Sequence, residues 1–451
     1  MLGTFGLCRK WRSTTRYDYV TKRPKDIQAL RFSADEHGQF AVAGDVGGFL
    51  GEDHQFGYRI NLVNEQIDSY VDHVDGERYL AALALDWKAT AQSKFEFDLE
   101  AQRSEQKSVP GYQLLDGKVP QNVKWERLLG YQSWGKPVTI DSLNTSLKYN
   151  YAFNDDWNLG LVASHSKSKV DDYSVFPFGY YRDGCEAAYS CNTFSAQVIK
   201  TRDTDLDKFL PQFAVSYSPS ESTTLYASYA KGLSDGKTAP WFVENSAETL
   251  APIHSEQYEI GLKQQIHNFL LTAAIFDLRQ DNQSSKPILD KRYFVQEGEQ
   301  RSLGLELGLN GELTDHLALS SSLALTKARL DEVEAVEYGN HQAQNVPKVR
   351  FATHLTYQVP NIEGLRVLAG GQYSSSKYAN KQGTAKVSGY SVFDLGAAYQ
   401  FKLNTTDAQL RFNINNLLNK KYWRDAGEFY GDDYLFLGAP RTATLSLNLN
   451  F

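Results

Sequence analysis

The 451-residue chain contains no apolar run approaching the roughly 18 residues that a membrane-spanning helix requires, which excludes a helical membrane protein. It is also short of positive charge. With a net charge of −7 it offers no general attraction to a phosphate backbone, so nucleic-acid binding is set aside. There is no HExxH, no CxxC pair and no GxxxxGK(S/T), so metal, redox and nucleotide chemistry have no motif behind them and no cofactor is expected. Methionine occurs once and cysteine three times, as Cys8, Cys185 and Cys191. The last two are close enough to staple a loop in an oxidising compartment, which leaves Cys8 unpaired. The start, MLGTFGLCRKWRSTTR, places a short apolar stretch before basic residues, the reverse of a secretory signal peptide. For an exported protein this implies either a start further upstream or an incomplete reading frame.

What the chain has is aromatics and alternation. Tyrosine (27) and phenylalanine (24) are abundant, as expected where rings form belts at two membrane interfaces, although an aromatic-rich soluble sandwich would show the same counts. The mean hydropathy of −0.47 looks soluble, but a strand that faces lipid on one side and water on the other averages to such a value. In 303–310, LGLELGLN, the leucines Leu303, Leu305, Leu307 and Leu309 share one face, and Gly304, Glu306, Gly308 and Asn310 share the other. The pattern recurs in Phe95, Phe97, Leu99 against Glu96, Asp98, Glu100, and in Tyr258, Ile260, Leu262 against Glu259, Gly261, Lys263. It closes the chain with Leu445, Leu447, Leu449 and Phe451. Many segments of membrane-spanning length predict an all-β, transmembrane antiparallel barrel.

Long and short connections alternate along the chain. Long ones fall at about 67–78, 104–140, 171–190, 232–254, 281–292, 330–346, 376–388 and 419–437. Short polar turns fall near 51, 90, 155, 266, 313, 361 and 405. The long set is expected outside the cell and the short set in the periplasm. The two halves conflict at one point. Segments around 192–201 and 208–217 both read as descending strands, which antiparallel neighbours cannot be, and TRDTDLD at 201–207 is too short for a crossover. Roughly eight strands before it and eleven after give about 19, an odd number, so a segment is expected to be missing near 201–207.

Several motifs resemble the TonB-dependent outer-membrane receptors, in particular their ferric-siderophore branch. YDYVTKRP at 17–24 is similar to the end of that family's plug domain, and FGYRINLVNEQIDSYVD at 56–72 to the opening of its barrel. KFLPQFAVSYSPSESTTLYASYAKG (208–232), SEQYEIGLK (255–263) and VQEGEQRSLGLELGLNGEL (295–313) follow in family order. FNINNLLNKKYW (412–423) and GAPRTATLSLNLNF (438–451) carry the most specific likeness. The resemblance implies a 22-stranded barrel, a plug, a TonB box, a ferric siderophore as ligand and TonB as energising partner. It divides the chain into a plug remnant with an atypical start at 1–25 and a barrel at 26–451. Only about sixteen residues precede YDYVTKRP, and Thr14, Thr15 and Arg16 stand where the family usually carries glycines. On that reading the chain is a shortened monomeric form, set among outer-membrane lipid and lipopolysaccharide and unable to drive energised uptake alone.

Three connections offer ligand contacts. The first holds Tyr112, Trp125, Arg127, Tyr131 and Trp134 among several lysines, a combination suited to an anionic or catecholate-type iron chelate. The second holds Tyr173, Phe176, Phe178, Tyr180, Tyr181 and Arg182 before the Cys185–Cys191 staple, and the third Trp241 and Phe242. For any one of these residues ordinary loop packing is the simpler explanation, since most contact residues carry little binding energy. A passive porin and a barrel hydrolase are the rivals. For the hydrolase, His165 lies between two serines and His254 precedes Ser255 and Glu256, but adjacent strand residues point to opposite faces. Asn413, Asn415, Asn416 and Asn419 read as structural hydrogen-bonding residues.

Overall fold

The computed structural model describes residues 22–451 apart from 115–116, 122, 174–201, 235, 332–340 and 430. The first group of strands is β1 (Ile27–Asp35), β2 (Phe40–Leu50), β3 (Phe56–Asp68), β4 (Asp75–Lys88), β5 (Ser93–Gln106), the two-residue β6 (Tyr112–Gln113), β7 (Val138–Ala152) and β8 (Trp157–Asp172). There follow β9 (Arg202–Ser220), β10 (Thr223–Ser234), β11 (Ile253–Ile266), β12 (Phe269–Ile288), β13 (Lys291–Thr314), β14 (Leu317–Asp331), β15 (Val349–Gln358) and β16 (Leu365–Ser374). The last group is β17 (Lys377–Tyr378), β18 (Lys386–Val387), β19 (Tyr390–Leu403), β20 (Thr406–Asn415), β21 (Trp423–Phe429), β22 (Asp432–Leu437) and β23 (Thr442–Asn450). Eighteen of them form one antiparallel sheet in chain order, with β6, β17, β18, β21 and β22 left to the connections. The sheet closes on itself where β1 pairs with β23, Phe32 opposite Leu447 and Arg31 opposite Asn448. Closure leaves no unpaired edge, the condition for strands to cross a bilayer.

The period of two decides which way each side chain faces. Ile260, Ile275, Leu305, Leu325 and Val349 stand opposite one another across five neighbouring strands and form one outward row. Ile260 is 71% exposed there, an exposure that lipid rather than water would cover. The adjoining inward row contains Gly304 because the ring of Phe276 lies over it; a Cβ would meet that ring at 2.3 Å. At the short-turn end the outward aromatics run as a belt. Phe56 stacks on Trp87 at 6.1 Å, Trp87 on Phe95 at 5.4 Å, and Trp157 on Tyr217 at 4.6 Å. Such rings sit where hydrocarbon meets headgroups.

The structure corrects the strand count and the direction conflict. Among the described residues seven barrel strands precede residue 201 and eleven follow, giving 18 rather than about 19. Residues 202–220 form one descending strand, and it pairs antiparallel with β8 from Trp157↔Tyr217 to Asp172↔Arg202. The strand read at 192–201 lies outside the described residues. With β8 and β9 regular neighbours, every described long connection sits at one end of the barrel, and the directional argument for a missing segment near 201–207 falls away. The count is also four short of the 22 that the resemblance implies.

Just before β1, Lys22 and Arg23 lie against the inner wall. Lys22 Nζ reaches Asp45 at 2.8 Å and Asn61 at 2.9 Å, while Arg23 bridges Asp86 and Asp98. Arg59 donates to the Arg23 carbonyl at 2.9 Å and pairs with Asp45 as well. Of the 17–24 motif, these last residues are therefore held by acids of β2, β4 and β5.

Candidate functional site

At the loop end, chemistry concentrates around the hairpin β21–β22. It arises from the connection between β20 and β23, and its base is fixed by asparagines. The Asn416 side chain donates to the carbonyls of Lys420 and Ala439, both at 2.9 Å, and Asn419 accepts from the Arg441 amide at 2.9 Å. Both residues take positive φ, which asparagine tolerates better than most residues. The hairpin gains a third strand from a distant connection, since Tyr434 and Leu435 of β22 pair with Gln113 and Tyr112 of β6. Beneath it Leu435 and Ala426 pack with Ala379, Ala385 and Val387 from the β16–β19 connection.

The hairpin also reaches the far side of the barrel. Eight strands separate the β20–β23 connection from the β10–β11 connection, nearly half the ring. At usual strand spacing and tilt an 18-stranded barrel is about 35 Å across. Yet Glu428 lies 3.8 Å from Lys237, Trp241 donates to Asp432, and a Cβ on Gly431 would meet the Phe242 ring at 2.6 Å. Lys381 pairs with Glu428 at 2.7 Å and donates to the Gln283 carbonyl at 3.0 Å. Gln344 reaches Asp433 at 3.0 Å, and Gln113 reaches Asp432 at 2.8 Å. Four other connections, β5–β7, β10–β11, β14–β15 and β16–β19, thus meet at one hairpin that lies across the mouth.

The carboxyls of that junction are crowded. Burial, reinforced by the Glu428 charge, pushes Asp433 from 3.8 up to about 7, and burial raises Asp432 in the same direction. A neutral Asp433 belongs to the docked hairpin, whereas a released one titrates normally. Docking is therefore firmest below about 3.8, weakens as pH rises toward about 7 and then levels off. Hydrogen exchange across 423–437 is expected to accelerate over that window. In Asp433→Asn the pH-dependent loss of protection, taken relative to the intrinsic exchange rate, is expected to shrink, with Asp432 carrying what remains.

The structure separates the sequence candidates. Tyr112 is a core residue: it is buried, its hydroxyl donates to the Lys124 carbonyl at 2.9 Å, and Trp423 packs on its ring at 5.7 Å. Burial pushes its phenol up to about 12. Trp125 is also used structurally, donating to the Gly438 carbonyl at 2.8 Å beneath the Lys421 ammonium. Arg127 and Trp134 are half-buried in the same connection. Tyr131 is exposed and stacks on His73 at 4.1 Å, and Tyr173 lies 5.7 Å from the Lys136 ammonium. Trp241 and Phe242 are 59% and 41% exposed, packed edge to face between buried Pro240 and Val243. Phe176, Phe178, Tyr180, Tyr181, Arg182, Cys185 and Cys191 lie outside the described residues. His254 lies 3.3 Å from Asp281 at the loop end. Ser164 donates to the Leu210 carbonyl and Ser166 to Asn144, partners that leave His165 on the other face. The junction residues Lys237, Lys381, Glu428, Asp432 and Asp433 were not legible as a site, because each stands in a different or unremarkable polar loop and only folding brings them together.

Comparison with known proteins agrees with this architecture. The sequence pattern of the family described as TonB dependent receptor-like, beta-barrel matches residues 5–417. The ferrichrome receptor FcuA of Yersinia enterocolitica is 28% identical over 65% of this chain and 38% of its own length. The probable TonB-dependent siderophore receptor PiuA of Acinetobacter baumannii is 28% identical over 86% of this chain and 54% of its own. The chain thus spans about half or less of the length of these relatives. Among solved structures, BauA, the ferric preacinetobactin receptor of Acinetobacter baumannii, superposes with a TM-score of 0.66 at 21% identity, over 95% of this chain and 81% of that one. That likeness concerns the fold.

Proposed function

We infer that this chain, which belongs to the TonB dependent receptor-like β-barrel family, captures a ferric siderophore at its loop-end mouth as the barrel of a receptor whose delivery step draws on a plug and on TonB as the energising partner, a step the chain does not perform alone. The observation that carries the reading is the mouth itself, where four other connections converge on one hairpin and leave the Trp241–Phe242 pair exposed beside it. A rigid aromatic pair offers large contact area at little entropic cost, and iron reaches it already chelated. Tyr131, Trp134 and Tyr173 are the further described contacts in this proposal, and Phe176, Phe178, Tyr180, Tyr181 and Arg182 beside a Cys185–Cys191 bridge complete it. The protein sits as a monomer in outer-membrane lipid and lipopolysaccharide. A passive channel fits less well, because a hairpin docked across the mouth obstructs free diffusion.

Cells displaying the protein are expected to bind an iron-loaded siderophore saturably, measured with radioactive iron across a hydroxamate and catecholate panel. Trp241→Ala and Phe242→Ala should each weaken binding about tenfold, the scale of a modest hot spot. A large single-channel conductance without chelate binding would assign the passive channel instead.

A further inference from the structure

Away from the mouth, the lipid-facing side of the wall is not smooth. Gly44, Leu62, Ala81, Ala101, Leu143 and Lys167 stand opposite one another in a single outward row across β2, β3, β4, β5, β7 and β8. The next outward row toward the loop end carries Tyr79, Arg103, Asp141 and Lys169. Where the row has its small residues, flanked by Leu62 and Leu143, an open apolar groove of about 950 Å³ runs along the wall. Packing does not impose the smallest of these residues. Among the described residues the one atom within 4 Å of a Cβ built on Gly44 is Leu30 Cδ2, at 3.9 Å, an ordinary contact. Lys167 lies ten residues beyond Trp157 on the same face of β8, and Arg103 eight beyond Phe95 on the same face of β5. At usual strand rise and tilt they stand about 20–25 Å from the aromatic belt, close to the height of the apolar band of such barrels. The groove therefore lies in hydrocarbon and ends on cations at the level of the outer headgroups.

We propose that this groove seats one acyl chain of a lipopolysaccharide molecule as a fixed ligand, with a sugar phosphate of that molecule held at the groove's upper end by Arg103, Lys167 and Lys169. A hollow in hydrocarbon is filled by chain segments, and cations at its rim turn a passing contact into a site by fixing the head of the lipid. The guanidinium supplies a two-pronged donor to phosphate, and the ammonium groups supply point charges. Acids stand nearby, but their hold is loose. Arg103 reaches Asp141 at 3.6 Å and Glu105 at 3.7 Å, and Lys169 reaches Asp171 at 3.6 Å, with both cations about half exposed. Ion pairs of that length and exposure contribute little, so a phosphate competes with them. The long connections all lie at the end where these cations stand, which assigns the lipid to the outer leaflet. The proposal rests on the placement of the barrel among lipopolysaccharide and is independent of siderophore capture, since the site is on the other face of the wall.

Native mass spectrometry of the purified full chain in an uncharged detergent, titrated with lipopolysaccharide, tests the site without any chelate. One lipopolysaccharide retained per chain is expected. Filling the groove by Gly44→Phe or by Ala101→Phe should each lower the affinity at least tenfold, and either variant suffices if the other does not fold, as judged by heat-modifiable mobility. Ala273→Phe is the control, because Ala273 stands in an outward row between Leu262 and Leu307 on the far side of the barrel, and its affinity should match that of the parent. The double variant Arg103→Gln, Lys167→Gln should lose at least tenfold for lipopolysaccharide and nothing for the phosphatase-treated lipid, which the parent should already bind more weakly. Equal affinity of the filled variants and the parent would overturn the proposal. So would phosphatidylglycerol held as tightly as lipopolysaccharide, or phosphatase treatment without effect.

Discussion

Replacing Leu435 by aspartate is expected to release the hairpin from the mouth while leaving the barrel intact. Leu435 is fully buried against Ala379, Ala385, Val387 and Ala426, and its backbone pairs with Tyr112. Losing the leucine alone costs about 2–5 kcal/mol, and a carboxylate in the same place adds the cost of an unpaired buried charge. None of the barrel pairings passes through this residue, so the penalty falls on docking alone. Limited proteolysis of intact cells should show new cleavage within 416–441, while the barrel keeps its heat-modifiable mobility on gels. Unchanged protease resistance would mean that the hairpin is not held by this cluster.

The second large effect concerns the lipid face. Ile260→Arg places a charge in the middle of β11 on the outward row and should destabilise the barrel by about 2–4 kcal/mol in bilayers, as charges near a membrane midplane do. Leu289→Arg provides the control. Leu289 is 97% exposed at the tip between β12 and β13, where an arginine remains in water and stability should hardly change. Urea unfolding from vesicles reads both. Equal losses at the two positions would remove the argument that exposure at Ile260 is exposure to lipid.

Sequence alone revealed the barrel because a period of two is local. Leu303–Leu309 or Leu445–Leu449 can be assigned to faces without knowing what lies beside them, and the structure pairs them as that alternation requires. Loop length also carried through, since a two-residue turn forces adjacent antiparallel strands. The direction conflict at the junction had a local cause too: residues 192–201 and 208–217 both alternate, while the pairing of β8 with β9 is a long-range fact. The mouth was least legible. Tyr112 and Trp125 have the chemistry of ligand contacts, yet their hydrogen bonds to Lys124 and Gly438 make them scaffold. The meeting of Glu428 with Lys237 and Lys381 depends on a hairpin crossing from another connection, which no window of sequence contains.

The account stands on a ring in which β8 and β9 are direct neighbours, for the strand count, the common side of the loops and the reach of the hairpin all follow from it. In a variant with serine at positions 8, 185 and 191, cysteines at Leu161 and Phe213 test this directly, since the two residues stand opposite each other. A short thiol cross-linker applied to outer membranes should join them efficiently. Failure to cross-link in folded protein would contradict the account, because interposed strands would separate the pair by roughly 10 Å or more.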